Sequence, residues 1–158
     1  MRPTCLLVSL SFLFLALVPV QAGHRAPGIF LRVHVQTTGE GLSAQQAETI
    51  TLPTDGEKIQ IRALPEISEH NLIDIKTDPS GSIRLFFDHD GTVSLSAVTA
   101  QNQGRLLVVL INGTVVYAPT IDVQISTGEL DLPYPLPPEV LQLLQQTAKA
   151  NAKEEASR

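Results

Sequence analysis

The sequence predicts an α+β domain in which a mainly antiparallel sheet carries two helices on one face. Three observations predict it. Asn112-Gly113 separates two apolar runs, Asp78-Pro79-Ser80-Gly81 separates another pair, and residues 91–103 and 137–148 carry apolar side chains at helical spacing. Tight turns force antiparallel pairing, and helices interspersed among such strands must bury their apolar stripes against the sheet.

Taken in order, residues 29–35 (IFLRVHV) alternate Phe30, Arg32 and His34 against Leu31, Val33 and Val35, the period of a half-buried strand. Residues 37–47 are polar, with a helical turn expected over 42–47, and residues 57–63 (EKIQIRA) alternate again as a second strand. Leu64-Pro65 breaks that strand. Residues 67–71 then form a brief helical turn capped by Ser68, before alternation resumes at 72–76 (LIDIK). The turn formers at 78–81 join this strand to residues 82–87 as a hairpin.

From Gly91 to Gln103 the spacing changes. Val93, Ala97 and Ala100 recur at helical intervals, joined by Val98, with Asp90 placed to cap the start and Gly104 to end the helix. Residues 105–111 (RLLVVLI) and 114–117 flank Asn112-Gly113, the dipeptide that best tolerates the positive φ angles of a type I′ hairpin. Residues 107–111 are apolar without alternation, as in a central strand covered on both faces. Shorter extended pieces are expected at 121–125 and 129–132. Pro137-Pro138-Glu139 opens the last helix, whose stripe is Val140, Leu141, Leu143 and Leu144. After Ala148 the chain is charged and small and is expected to fray.

The first residues read as an export signal. A lone charge at Arg2 precedes an apolar run over 6–20, and Val20-Gln21-Ala22 offers a small-residue cleavage site before Gly23. That run is shorter than the roughly 20 residues of a spanning helix. The expected organisation is therefore a signal peptide at 1–22, a short leader at 23–28, a domain at 29–148 and a flexible charged tail at 149–158. No later apolar stretch approaches spanning length, so no membrane span is expected once the signal is cut. Localisation is expected in the periplasm or outside the cell.

Cleavage would remove Cys5, the sole cysteine, and with it disulfides, thiolate metal sites and cysteine nucleophiles. Export without disulfides fits a bacterial envelope protein. Loss of Arg2 moves the formal charge from -5 to -6, with 10 Lys+Arg against 16 Asp+Glu. With no basic cluster to neutralise phosphates, nucleic acid is excluded as a partner.

No pattern of catalytic residues emerges. Asp88-His89-Asp90-Gly91-Thr92 begins like a calcium loop, yet the position eleven residues after Asp88 is Thr99 where the bidentate Glu belongs. Asp90 as a helix cap explains the cluster better. His24, His34, His70 and His89 contain no pair at helical ligand spacing, which disfavours zinc. No serine lies in a Gly-x-Ser-x-Gly elbow, and Gly104, Gly113 and Gly128 are too dispersed for a phosphate cradle. Asn112-Gly113-Thr114 matches a glycosylation sequon but is fully explained by the hairpin. The sequence points to no enzyme, metal or cofactor.

Residues 82–144 resemble the head subdomain of the first periplasmic domain of SecD, the membrane protein that assists bacterial protein export. The matching elements are a strand at 83–88, a helix ending in Val98-Thr99-Ala100-Gln101 and Asn102-Gln103-Gly104-Arg105, an apolar strand at 106–112 with a turn at Asn112 and Gly113, then Val115-Val116-Tyr117-Ala118-Pro119-Thr120-Ile121, and a helix at 138–144. Leu64-Pro65-Glu66-Ile67-Ser68 carries the resemblance back towards residue 30. It implies a ferredoxin-like α+β head, with Asn102, Gly104, Arg105, Asn112, Gly113, Ala118, Pro119 and Ile121 as structural motif residues. It also implies a non-enzymatic module that binds unfolded polypeptide or translocase subunits. SecD carries membrane helices that drive movement, and this chain has none of them beyond its signal, so the resemblance does not imply an engine. The alternative is a cell-envelope structural or binding protein that reuses the fold with no role in export.

Overall fold

The computed structural model describes residues 28–38 and 46–157. The signal segment, the cleavage site at Ala22 and Gly23, His24 and most of the turn expected over 42–47 lie outside the described residues. The α+β, ferredoxin-like class holds, with antiparallel pairing throughout and two α-helices. The strands divide between two sheets.

In the larger sheet, β1 (Leu31–Thr37) runs beside β7 (Leu107–Ile111) from the pair Leu31↔Ile111 to Val35↔Leu107. Its other edge is shared. The two-residue strand β4 (Ile67–Ser68) pairs with Arg32 and Val33, and β3 (Lys58–Arg62) pairs with Gln36 and Thr37. Beyond β3 lies β2 (Ala47–Thr51), and beyond β7 lies β8 (Thr114–Tyr117). The smaller sheet has the order β5 (Leu72–Thr77), β6 (Ile83–Phe87), β9 (Glu129–Leu132).

The apolar run in β7 has a direct structural reason. Leu107, Val109 and Ile111 enter the main core with Leu31, Val33, Val35, Leu85, Leu95 and Leu144. Val108 and Leu110 face the other way, into a second cluster formed with Leu52, Ile59 and Ile61 of the β2–β3 ribbon. His34 is buried beside that second cluster, opposite Val108 in the pairing of β1 with β7. Its Nδ1 lies 2.7 Å from the Arg62 carbonyl oxygen. A carbonyl only accepts, so Nδ1 carries the proton.

Helix α1 (His89–Gln101) and helix α2 (Pro138–Glu155) both close the main core, α1 through Leu95 and Val98, α2 through Leu144 and Ala148. Between β4 and β5 a 3-10 turn at Glu69–Asn71 is capped by Ser68, as the sequence predicts. The predicted hairpins also form. At the second of them Asn112 (φ 50°) and Gly113 (φ 79°) both take the left-handed conformation of a type I′ turn.

Several expectations are corrected. The cap of α1 is Asp88, whose carboxylate accepts from the Gly91 N–H at 2.7 Å, and Asp90 lies inside the first turn. The helix ends with Asn102 as its C-cap, so Gly104 (φ 80°) follows the end and shapes the loop. Residues 121–125 form no strand; they make an irregular segment tied to α1, with the Ile125 N–H donating to Thr99 Oγ1 at 2.9 Å and Gln124 Nε2 donating to Ser96 Oγ at 2.7 Å. Strand β2 was hidden because Glu48, Thr49 and Thr51 are exposed polar residues without an apolar alternation.

The end of the chain differs most. Helix α2 continues through residues 149–155, where fraying was expected, because Asn151 Nδ2 donates to two carbonyl oxygens, Glu69 at 2.7 Å and Leu72 at 2.8 Å. Those bonds fasten the helix to the start of β5.

Candidate functional site

The two halves of the sequence motif meet in space. Asn102 is buried and its Nδ2 donates to the Val98 carbonyl at 2.8 Å, closing the end of α1. From there the chain is zipped to the 118–121 segment. The Gly104 N–H donates to the Ile121 carbonyl (2.9 Å), the Ile121 N–H to the Arg105 carbonyl (2.8 Å), and the Leu107 N–H to the Pro119 carbonyl (2.9 Å). Ile121 fills the main core beneath this zip. Asn112 and Gly113 stand apart, at the far end of β7, roughly 20 Å away at the rise of an extended strand. Asn112 serves that end by accepting from the Phe30 N–H through Oδ1 at 3.0 Å, while its own N–H donates to the Phe30 carbonyl at 2.8 Å. Every one of these contacts is architectural.

The zip delivers β8 to the edge of the larger sheet, with β7 on one side and no strand of the described residues on the other. The register slips in β8: Val115 pairs with Leu110, but Tyr117 pairs with Val109, which leaves Val116 as an extra, bulged residue. One residue of slip moves a side chain to the opposite face. Val115 accordingly packs against the second cluster, whereas Tyr117 packs against the main core.

Two grooves meet at the end of the strand, where Tyr117 lines both. The first, about 560 Å³, runs between β8 and the β2–β3 turn, where Leu52, Leu106, Val115 and Ala118 meet the exposed ring of Tyr134. Asp55 and Glu57 stand on its rim. The second, about 340 Å³, runs between β8 and β9, lined by Tyr117, Ile121, Val123 and Ile125. Asp122, Glu129 and Asp131 stand on that rim. Arg84 pairs with Asp131 (2.6 Å) and Glu129 (3.3 Å) from the neighbouring strand, and no cationic side chain of the described residues lines either groove. Val123 is 68% exposed and Tyr134 64%, so each groove presents one large apolar side chain to solvent. Sequence reasoning missed this edge. The Val-Val-Tyr run marks it, but the bulge that splits its faces leaves no signature.

A third cleft, about 450 Å³, gathers His70, His89, Asp88, Asp90 and Glu154 between the start of α1 and the end of α2. Its chemistry is spoken for in part, because Asp88 caps α1 and accepts from Asn71 Nδ2 at 3.3 Å. Among the described residues no group of three His, Cys, Asp or Glu side chains is arranged to hold a metal ion. Nearby, Glu69 is buried and ion-paired with Arg32, with His70 Nε2 at 3.5 Å. No described helix is long and apolar enough to cross a membrane.

No protein-family model matches the sequence, and no curated protein matches it. Among solved structures the chain is similar to SecDF, described as a membrane component that enhances protein export. The two align with a TM-score of 0.54 and 18% identity over 78% of this chain and 63% of that one. A second structure, of SecDF in its super-membrane-facing form, aligns with a TM-score of 0.53 and 20% identity over 77% of this chain and 18% of that one. The chain thus spans less than two thirds of the length of either. At such identities the likeness establishes a shared fold.

Proposed function

We propose that this chain is an exported, non-enzymatic protein built like the periplasmic head of SecD, which binds polypeptide, or a partner in the export machinery, outside the membrane. The observation that carries the reading is the SecDF-like fold, which extends over more than three quarters of the chain. Fold similarity alone leaves function open, since one fold hosts many roles. The local geometry supports the same reading from a different direction. The motif residues serve to hold β8 at a sheet edge, and such edges bind extended chains through main-chain hydrogen bonds.

The test is deletion of the gene, combined with capture of denatured exported proteins by the purified protein. Slower export on deletion and retention of denatured clients are expected. Normal export together with no retained client would overturn the proposal and favour an envelope protein that reuses the fold.

A further inference from the structure

We infer that β8 is a strand-addition site for an extended segment of apolar residues flanked by lysine or arginine. The inference rests on the polypeptide-binding reading above and names both its place and its ligand class.

Three features of β8 converge on it. Among the described residues the strand ends its sheet, so one row of its main-chain groups is open to another strand. The two grooves meet at the Tyr117 end of that edge, and an added strand projects its side chains alternately to the two faces, so residues arriving at that end would enter the two grooves in turn. Tyr134 and Val123 supply an exposed apolar contact on either side.

Charge selects the ligand. Asp55 and Glu57 rim one groove and Asp122 the other, where Glu129 and Asp131 are already ion-paired with Arg84, and no lysine, arginine or histidine of the described residues lines either. A segment ending in basic residues meets these rims with opposite charge, and an acidic one is repelled. The bulge at Val116 limits the site. It twists the edge and shortens the regular ladder, so the added strand is short and the two grooves must supply much of the hold.

The probe is a short labelled peptide of alternating valine and threonine with lysines at both ends, offered to the full protein as exported. Binding is expected to protect the main-chain amides of residues 115–118 from hydrogen exchange. Tyr134→Ala and Val123→Ala should each weaken it about tenfold, the effect of losing one good apolar contact. Both side chains are exposed, so an unchanged far-UV circular dichroism spectrum is expected for each variant. Replacing the terminal lysines with glutamate should abolish binding. Protection confined to β5 or β9, or unchanged affinity in both variants, would overturn this site while leaving polypeptide binding intact. The same holds if denatured clients are retained but the peptide is not. If neither is retained, both proposals fail.

Discussion

Replacing Asn151 by alanine tests whether the last turns of α2 are part of the fold. Its amide group donates to the carbonyls of Glu69 and Leu72 at 2.7 and 2.8 Å, joining the helix to the 3-10 turn and the first residue of β5. Each such bond contributes about 1 kcal/mol net, so losing both costs about 2 kcal/mol. Alanine is the better helix former by about 0.5 kcal/mol, which offsets part of the loss and leaves about 1.5 kcal/mol. With a urea dependence of about 2 kcal/mol per molar, the unfolding midpoint should fall by about 0.7 M. Lys153→Ala, at an exposed position of the same helix, serves as control and should change stability by less than about 0.5 kcal/mol. Urea denaturation followed by circular dichroism reads both variants. If Asn151→Ala falls within the scatter of Lys153→Ala, the terminal turns are not anchored by this side chain and the reasoning fails.

Asp88→Ala removes the acceptor for the Gly91 N–H and should cost about 1 kcal/mol in chemical denaturation, with Asp88→Asn recovering most of it. At the hairpin, Asn112→Ala loses both the bond to the Phe30 N–H and a residue that tolerates positive φ, and thermal unfolding should show a loss of about 2 kcal/mol. Asn112→Gly restores the backbone freedom alone, so it should fall between the two. Leu85→Ala opens a cavity in the main core, where the side chain is wholly buried, and should cost about 3 kcal/mol by the same measurement. The Ser80 hydroxyl, followed by backbone N–H groups of Ser80, Ser82 and Gly81, holds the Asp78 carboxyl below its usual range. Its small contribution to stability is therefore present above the ordinary aspartate value and is lost as pH falls through the lowered one. Ser80→Ala should raise the Asp78 midpoint in an NMR titration, and an unmoved midpoint would remove the hydroxyl as the main cause.

Local chemistry made the hairpins and the cap of the 3-10 turn legible. Asn112-Gly113 and Asp78-Pro79-Ser80-Gly81 dictate their turns whatever surrounds them, and Ser68 caps the 3-10 turn through groups within three residues of itself. The division into two sheets was not legible, because it depends on long-range pairings, β1 with β7 in one sheet and β6 with β9 in the other. The continuation of α2 depends on Asn151 reaching residues some eighty positions earlier. The motif residues are visible in the sequence as a string, but their work, zipping 104–107 to 119–121, is a long-range pairing. The grooves beside β8 were hidden for the same reason, since Leu52, Val115 and Tyr134 are brought together only by the fold.

The sharing of β7 between two clusters shapes how the molecule opens. Val108 and Leu110 anchor the small cluster, and their immediate neighbours Leu107, Val109 and Ile111 anchor the large one. The β2–β3 ribbon can peel away by giving up the small cluster, its short pairing with the end of β1 and the His34 bond to the Arg62 carbonyl, whereas β7 cannot leave without dissolving both clusters. Amide exchange should therefore be layered, with the ribbon exchanging through a low-energy local opening and β7 only through global unfolding. Because Leu52 and its turn form one wall of a groove beside β8, each such opening also unwalls that groove. A part of the fold that can open locally is thereby set against the edge where a partner strand would arrive.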